Sequence, residues 1–235
     1  TNGGGYAEYV AADAEHCLGV PQGLDIIDAA GLPETYFTVW SNVFIGAGLK
    51  AGETFLVHGG AGGIGTTCIQ LGKAFGAKVI ATDSPEARCS ICRDLGADRV
   101  IDYRSEDFVE VVRAEGGANV ILDIVGGPNI EKNFKAASHD ARIIQLAFGA
   151  GSKVDINLMP VMLKRLVYTG STLRTRPDAF KARIARELES QVWPLIAAGK
   201  IRVVTHSTLP LADAARAHAL MESSQHTGKI LLKTA

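Results

Sequence analysis

Thr54-Phe55-Leu56-Val57-His58-Gly59-Gly60-Ala61-Gly62-Gly63-Ile64-Gly65, residues 54–65, is the stretch that decides the fold. Its first five residues form a short, mostly apolar run that ends in glycines, the pattern of a buried parallel strand. From Gly63 to Phe75 the pattern becomes helical, with Ile64, Cys68, Leu71 and Phe75 recurring along one face. Gly76 follows in the position of a C-terminal cap. The spacing Gly60-x-Gly62-x-x-Gly65 therefore falls where strand gives way to helix. Glycines there meet three needs: a tight turn, close backbone approach to a pyrophosphate, and close helix–strand packing. The helix start adds unsatisfied N–H groups and the positive end of the helix dipole. A dinucleotide site at Gly60, Gly62, Gly63, Ile64 and Gly65 is the expectation.

The alternation continues on the C-terminal side of this stretch. Lys78 to Thr82 reads as a strand and Glu86 to Leu95 as a helix ended by Gly96. Strand-like runs follow at Arg99 to Ile101, Asn119 to Asp123, Arg142 to Leu146 and Val167 to Gly170. Helices from Glu106 to Arg113 and around Ile130 to Ala137 fall between them. Strands separated by helices of this length require crossover connections, and the fold class is α/β with a doubly wound parallel sheet of the Rossmann type. The flanks differ. Tyr6 to Ala11 looks strand-like, a longer helix starts after Pro177 and closes at Gly199, and Ile201 to His206, Leu211 to Met221 and Lys229 to Lys233 read as strand, helix and strand. The flanks look like parts of a second domain. The expected division is 1–26 and 171–235 in that domain and 27–170 in the dinucleotide-binding domain. Thr1-Asn2-Gly3-Gly4-Gly5 resembles the middle of a loop, so residues upstream are expected.

Composition excludes several classes of function. The 24 basic and 25 acidic residues give a formal net charge of -1 with no basic run, so the footprint of nucleic-acid binding is missing. No apolar stretch is long enough to span a bilayer. The expectation is a soluble, cytoplasmic chain with no nucleic-acid or membrane partner. Of the four cysteines, Cys17, Cys68, Cys89 and Cys92, only Cys89-Ser-Ile-Cys92 has a suggestive spacing. A zinc site needs a second ligand pair, and this pair lies inside a helix, so all four read as ordinary reduced thiols.

The glycine turn, Gln70-Leu71-Gly72-Lys73, Gly76-Ala77-Lys78-Val79-Ile80-Ala81-Thr82, Leu95-Gly96-Ala97-Asp98, Asp102-Tyr103-Arg104, Asp123-Ile124-Val125-Gly126-Gly127 and Thr227-Gly228-Lys229-Ile230 together resemble the zincless quinone oxidoreductase, or zeta-crystallin-like, branch of the medium-chain dehydrogenase/reductase superfamily. The resemblance starts at Gly4-Gly5-Tyr6-Ala7-Glu8-Tyr9 and runs through the chain. It implies that the flanks are remnants of a GroES-like catalytic domain whose first segment precedes this sequence. Zinc relatives place a ligating Cys at the entry to the cofactor domain; the corresponding residues 32–38 hold none, and Glu34 is a poor substitute. No metal is therefore expected. Short-chain dehydrogenases are a rival on the same fold, but none of the five tyrosines is followed by Lys four residues later.

Cofactor choice is divided. Asp83 ends the second strand about 20 residues beyond the glycine turn, where a carboxylate bonds the adenosine ribose of NAD. Ser84, Arg88 and Tyr103 fall where the resembling enzymes contact the extra phosphate of NADP, and a guanidinium suits that group. NADPH is the expectation, with NADH as the alternative. The resemblance further implies hydride transfer to a small-molecule quinone or enone, with Thr38, Gly126 and Gly127, Phe148 and Gly149, and Leu173 and Arg174 around the nicotinamide. No general acid is assigned. An enoyl-thioester reductase and a cofactor-binding protein with little turnover are the alternatives. The strand at 167–170, extended to Leu173, is expected at the sheet edge, where the resembling enzymes join two copies into a homodimer.

Overall fold

The computed structural model describes residues 3–234; Thr1 and Asn2 of the loop-like start lie outside them. Contacts divide the chain into two compact units. The first takes the residues up to Trp40, Gly62–Ile64 and those from Thr172 onward; the second takes Ser41–Ala61 and Gly65–Ser171. Residues 27–40, counted with the dinucleotide-binding domain from sequence, cluster with the first unit.

The first helices are α1 (Ile26–Ala29), capped by the Asp25 side chain, and α2 (Leu32–Val39), with Pro33 in its first turn. A π-helical segment, Trp40–Gly46, continues α2. The second unit then alternates β1 (Thr54–His58), α3 (Gly63–Ala74), β2 (Lys78–Asp83), α4 (Glu86–Asp94), β3 (Arg99–Asp102), α5 (Phe108–Ala114), β4 (Ala118–Asp123), α6 (Asn129–Ala136), β5 (Ala137–Gln145), α7 (Met159–Leu163) and β6 (Val167–Gly170). All strand pairings are parallel, and the order is β3-β2-β1-β4-β5-β6. This is the doubly wound order, in which the direction of winding reverses between β1 and β4. Central strand β1 is buried at every residue, as a strand covered on both faces must be. Leu56, Ile80, Ile121 and Ile143 pack with Phe108, Val112 and Phe134 in one core.

Two boundaries differ from the sequence pattern. The strand expected from Arg142 begins at Ala137, because Ala137 leaves α6 in extended conformation. Helix α7 carries no sequence pattern of its own: it is one short turn, with Pro160 as its second residue, whose Met162 and Leu163 face solvent.

In the first unit, β7 (Thr205–Pro210) pairs in parallel with β8 (Lys229–Lys233) after α8 (Asp178–Gln191) and α9 (Trp193–Ala197), with α10 (Ala214–Glu222) between the strands. The strand expected at Ile201 to His206 is thus shifted towards Pro210 by its register with β8. The single helix expected from Pro177 to Gly199 is interrupted at Val192, just before Pro194. Tyr6 to Ala11 is not a strand. Its large apolar side chains are exposed, and it pairs with no strand among the described residues.

Candidate functional site

The glycine turn joins β1 to α3 at the carboxyl end of the sheet, beside the reversal of strand order. Gly59 enters it at φ +72°, a conformation that a Cβ disfavours. The Gly59 and Gly60 N–H groups both donate to the Thr82 carbonyl, at 2.9 and 3.0 Å, and so tie the turn to the end of β2. A Cβ on Gly60 would lie 2.6 Å from Cys92 Sγ and 2.9 Å from Ala81 Cβ. A Cβ on Gly65 would overlap the Gly59 carbonyl oxygen. The turn therefore has no room for side chains beneath it, and its backbone is the surface it offers.

Asp83 locks this turn. Its side chain is 4% exposed and accepts the Ala61 N–H at 2.8 Å, the Ser84 N–H at 2.8 Å and two donors of Arg88: Nε at 2.7 Å and Nη2 at 3.3 Å. Sequence reading gave Asp83 and Arg88 opposed preferences for cofactor; the structure makes them partners. Ser84 is buried next to them, while Tyr103 donates its backbone N–H to the Asp83 carbonyl and leaves its side chain exposed. Asp83, Ser84, Arg88 and Tyr103 thus meet at the ends of β2 and β3.

A second turn stands at the end of β4. Gly126 and Gly127 have φ +67° and +53°, and a Cβ on Gly126 would lie 2.8 Å from the Phe148 ring. Gly127 N–H donates to the Gly151 carbonyl at 2.8 Å, so this turn packs on the loop that carries Phe148 and Gly149. Asp123 shapes it from below: its Oδ1 accepts the Val125 and Gly126 N–H groups at 2.6 and 3.1 Å.

Behind both turns lies a buried polar chain that the sequence did not reveal. Asn133 donates its amide to Asp123 at 2.9 Å, which turns its Oδ1 towards His58 Nε2 at 2.8 Å. His58 therefore carries its proton on Nε2, and its Nδ1 accepts from the Thr82 hydroxyl at 2.9 Å. Burial holds the His58 imidazole below its ordinary value, against the opposing pull of the Asp123 charge and the Asn133 hydrogen bond. Asp123 carried a signal that could have found it: like Asp83, it closes a strand just before a glycine turn.

The three cysteines of the second unit are buried and reduced. Burial pushes the Cys92 thiol up to about 12, and it pushes Cys68 and Cys89 in the same direction. Such thiols are packing groups and poor nucleophiles.

In the first unit, Gly62 bridges to Gly228, and a Cβ on Gly63 would lie 2.9 Å from Lys229 Cδ. Gly228 itself, at φ +62°, sits against the Val204 carbonyl. The Thr227-to-Ile230 segment thus supports the tip of the glycine turn. Thr38 and Leu173 line one cavity of about 330 Å³ in this unit, and the Thr38 hydroxyl donates to the Glu34 carbonyl one turn back. Glu34, the side chain weighed above as a zinc ligand, pairs with Lys229 at 2.8 Å. Among the described residues, no three His, Cys, Asp or Glu side chains are grouped as metal ligands. No helix among them is long and apolar enough to cross a membrane.

Comparison with known proteins agrees with this geometry. Residues 95–232 match the zinc-binding dehydrogenase family model. Human quinone oxidoreductase is 30% identical over 99% of this chain and 70% of its own length. A solved NAD-dependent alcohol dehydrogenase is 30% identical with a TM-score of 0.85 over 98% of this chain. The quinone oxidoreductase of Thermus thermophilus, solved with and without NADPH, is 25% identical with a TM-score of 0.81, over 92% of this chain and 69% of its own. The present chain spans only 65% of that alcohol dehydrogenase.

Proposed function

This chain belongs to the zinc-binding dehydrogenase family of medium-chain oxidoreductases, in its zeta-crystallin-like branch, and we propose that it serves the reduction of a quinone or another conjugated carbonyl by NADPH without a metal. The observation that carries the reading is the Asp83-locked glycine turn at the point where strand order reverses. Parallel α/β sheets bind dinucleotides at that point.

The residues fit such a cofactor. The turn bars side chains and leaves backbone amides, and α3 adds the positive end of its dipole to hold a pyrophosphate. Arg88 and the two amides compensate the Asp83 charge, so that carboxylate no longer opposes a 2′-phosphate. We assign Ser84, Arg88 and Tyr103 to that phosphate. Asp83 becomes a clamp and not a ribose ligand. Gly126 and Phe148, with Thr38 and Leu173, are assigned to positioning the nicotinamide end. The dinucleotide, when bound, supplies a hydride to the electrophilic carbon of the substrate. With no metal to polarise the substrate oxygen, rate enhancement rests on orientation and on hydrogen bonds to the developing negative charge.

Two further assignments follow. β6 is the sheet edge, paired among the described residues with β5 alone, and all four of its residues are exposed. This supports a homodimer through residues 167–173, since an uncovered edge invites pairing. The buried reduced thiols suit a cytoplasmic setting. The test of the function is NADPH oxidation that depends on an added ortho- or para-quinone. Tight NADPH binding with no turnover of any quinone or enone would leave only a cofactor-binding protein.

A further inference from the structure

The cavity that holds Thr38 and Leu173 contains charge that hydride transfer does not call for. Its walls include the apolar Pro33, Phe37 and Leu173. Into this space come Arg174 and Lys181. Lys181 stands in the first turn of α8 with its side chain only 11% exposed. Its partner among the described residues is a single carboxylate oxygen of Asp178, at 3.2 Å, on a side chain that is 72% exposed. An ammonium has three protons to place, and one long contact to a solvated carboxylate satisfies it poorly. Arg174 makes no hydrogen bond or ion pair with the described residues. The one acidic side chain lining the cavity, Glu34, is paired with Lys229. Glu34 is thus offset by Lys229, which leaves Arg174 unpaired among the described residues and Lys181 with one long contact.

We propose that this cavity selects substrates bearing an anionic group, a carboxylate or sulfonate attached to a planar conjugated system. Arg174 is its ligand and Lys181 the fixed positive charge behind it. A guanidinium offers paired donors matched to the two oxygens of such a group, and the apolar Pro33, Phe37 and Leu173 suit the planar ring system that carries it. At about 330 Å³ the space suits a small acid and is at the low end for enclosed ligands. The inference rests on the proposed assignment of Thr38 and Leu173, which line this cavity, to the nicotinamide end.

The test uses the full-length protein and two near-isosteric ligands that cannot be reduced, 2-naphthoate and 2-naphthamide, titrated by calorimetry in the presence of NADP⁺. Naphthoate is expected to bind about tenfold more tightly, the effect of roughly one charge-assisted contact. Arg174→Gln should bring the two affinities together, and Arg174→Lys should restore most of the difference. Equal affinities in the wild type, failure of both ligands to bind, or a preference that survives Arg174→Gln overturns the proposal. A kinetic arm separates this from the reductase reading. With 1,2-naphthoquinone-4-sulfonate and 1,2-naphthoquinone, Arg174→Gln should lower the ratio of kcat/KM values about tenfold through KM. Turnover of both quinones with no anion preference sinks the subsite and leaves the reductase standing. Naphthoate preference with no quinone turnover does the reverse.

Discussion

Asp83 and Arg88 form a two-point ion pair at the end of β2, Nε to Oδ1 at 2.7 Å and Nη2 to Oδ2 at 3.3 Å, and the same carboxylate holds the Ala61 amide of the glycine turn. One pair thus joins the shape of the glycine turn to the charge at the end of β2, where the adenosine end of the proposed cofactor would lie. Arg88→Ala should therefore do two things. Stability should fall by about 2–3 kcal/mol, just under the range for a fully buried pair, because the Arg88 side chain is 19% exposed. NADPH affinity should fall by roughly 1.5–3 kcal/mol more than NADH affinity. Denaturant titration gives the first and paired cofactor titrations the second. Equal losses for the two cofactors, or a wild type that prefers NADH, would remove the phosphate from Arg88.

The floor of the glycine turn predicts a coupled pair of substitutions. Gly60→Ala places a methyl 2.6 Å from Cys92 Sγ and 2.9 Å from Ala81 Cβ. It should cost about 1–3 kcal/mol as overpacking and weaken cofactor binding with it. Cys92→Ala removes the nearer clash, so the double variant should recover part of that loss. Additive effects in the double-mutant cycle would mean that Cys92 does not form the floor.

His58 gives the pH dependence a definite sign. Its folded imidazole is held below the ordinary 6.5, so the unfolded chain takes up this proton first. The stability tied to neutral His58 is complete above that value and is lost as pH falls from it through the lower folded value. The carboxylates held low by ion pairs, Asp98 and Glu53 among them, lose their contributions only at more acidic pH. Stability measured by denaturant from pH 8 to 5 should therefore slope downward with acidification, and His58→Gln should flatten that limb. An unchanged slope in the variant would place the titration elsewhere.

The second unit was legible in sequence for a physical reason. Strands such as Thr54–His58 and Lys78–Asp83 are buried along nearly their whole length and read as apolar runs, and α3 repeats Ile64, Cys68 and Leu71 at helical spacing. The flanks were less legible, because pairing depends on partners distant in sequence. Tyr6 to Ala11 has strand composition but no strand beside it among the described residues, and Thr205–Pro210 takes its limits from β8. The buried chain from His58 through Asn133 to Asp123 joins β1, α6 and β4, and no local spacing marks it. The partnership of Asp83 with Arg88 was hidden for another reason. Each residue had a separate role by position, and only the fold shows that the two charges compensate.

Edge strand β6 carries the assembly prediction. Val167 is 50% and Tyr168 39% exposed, and nearby Leu158, Met159, Met162 and Leu163 are exposed as well. Soluble chains rarely leave an apolar edge of this kind uncovered. The protein should sediment as a dimer at micromolar concentration. Thr169→Lys, which places a charge on the edge, should shift it towards monomer with its circular dichroism intact. A wild-type monomer at that concentration would end the proposal.

The most direct test of the central claim is absorbance at 340 nm when the full-length protein is mixed with NADPH and then with 9,10-phenanthrenequinone, with and without a chelator. NADPH oxidation should require the quinone, continue in the chelator, and be abolished by Gly65→Ala, whose methyl would overlap the Gly59 carbonyl. NADPH left unoxidised across a panel of quinones and enones, or turnover that stops on metal removal, would contradict it.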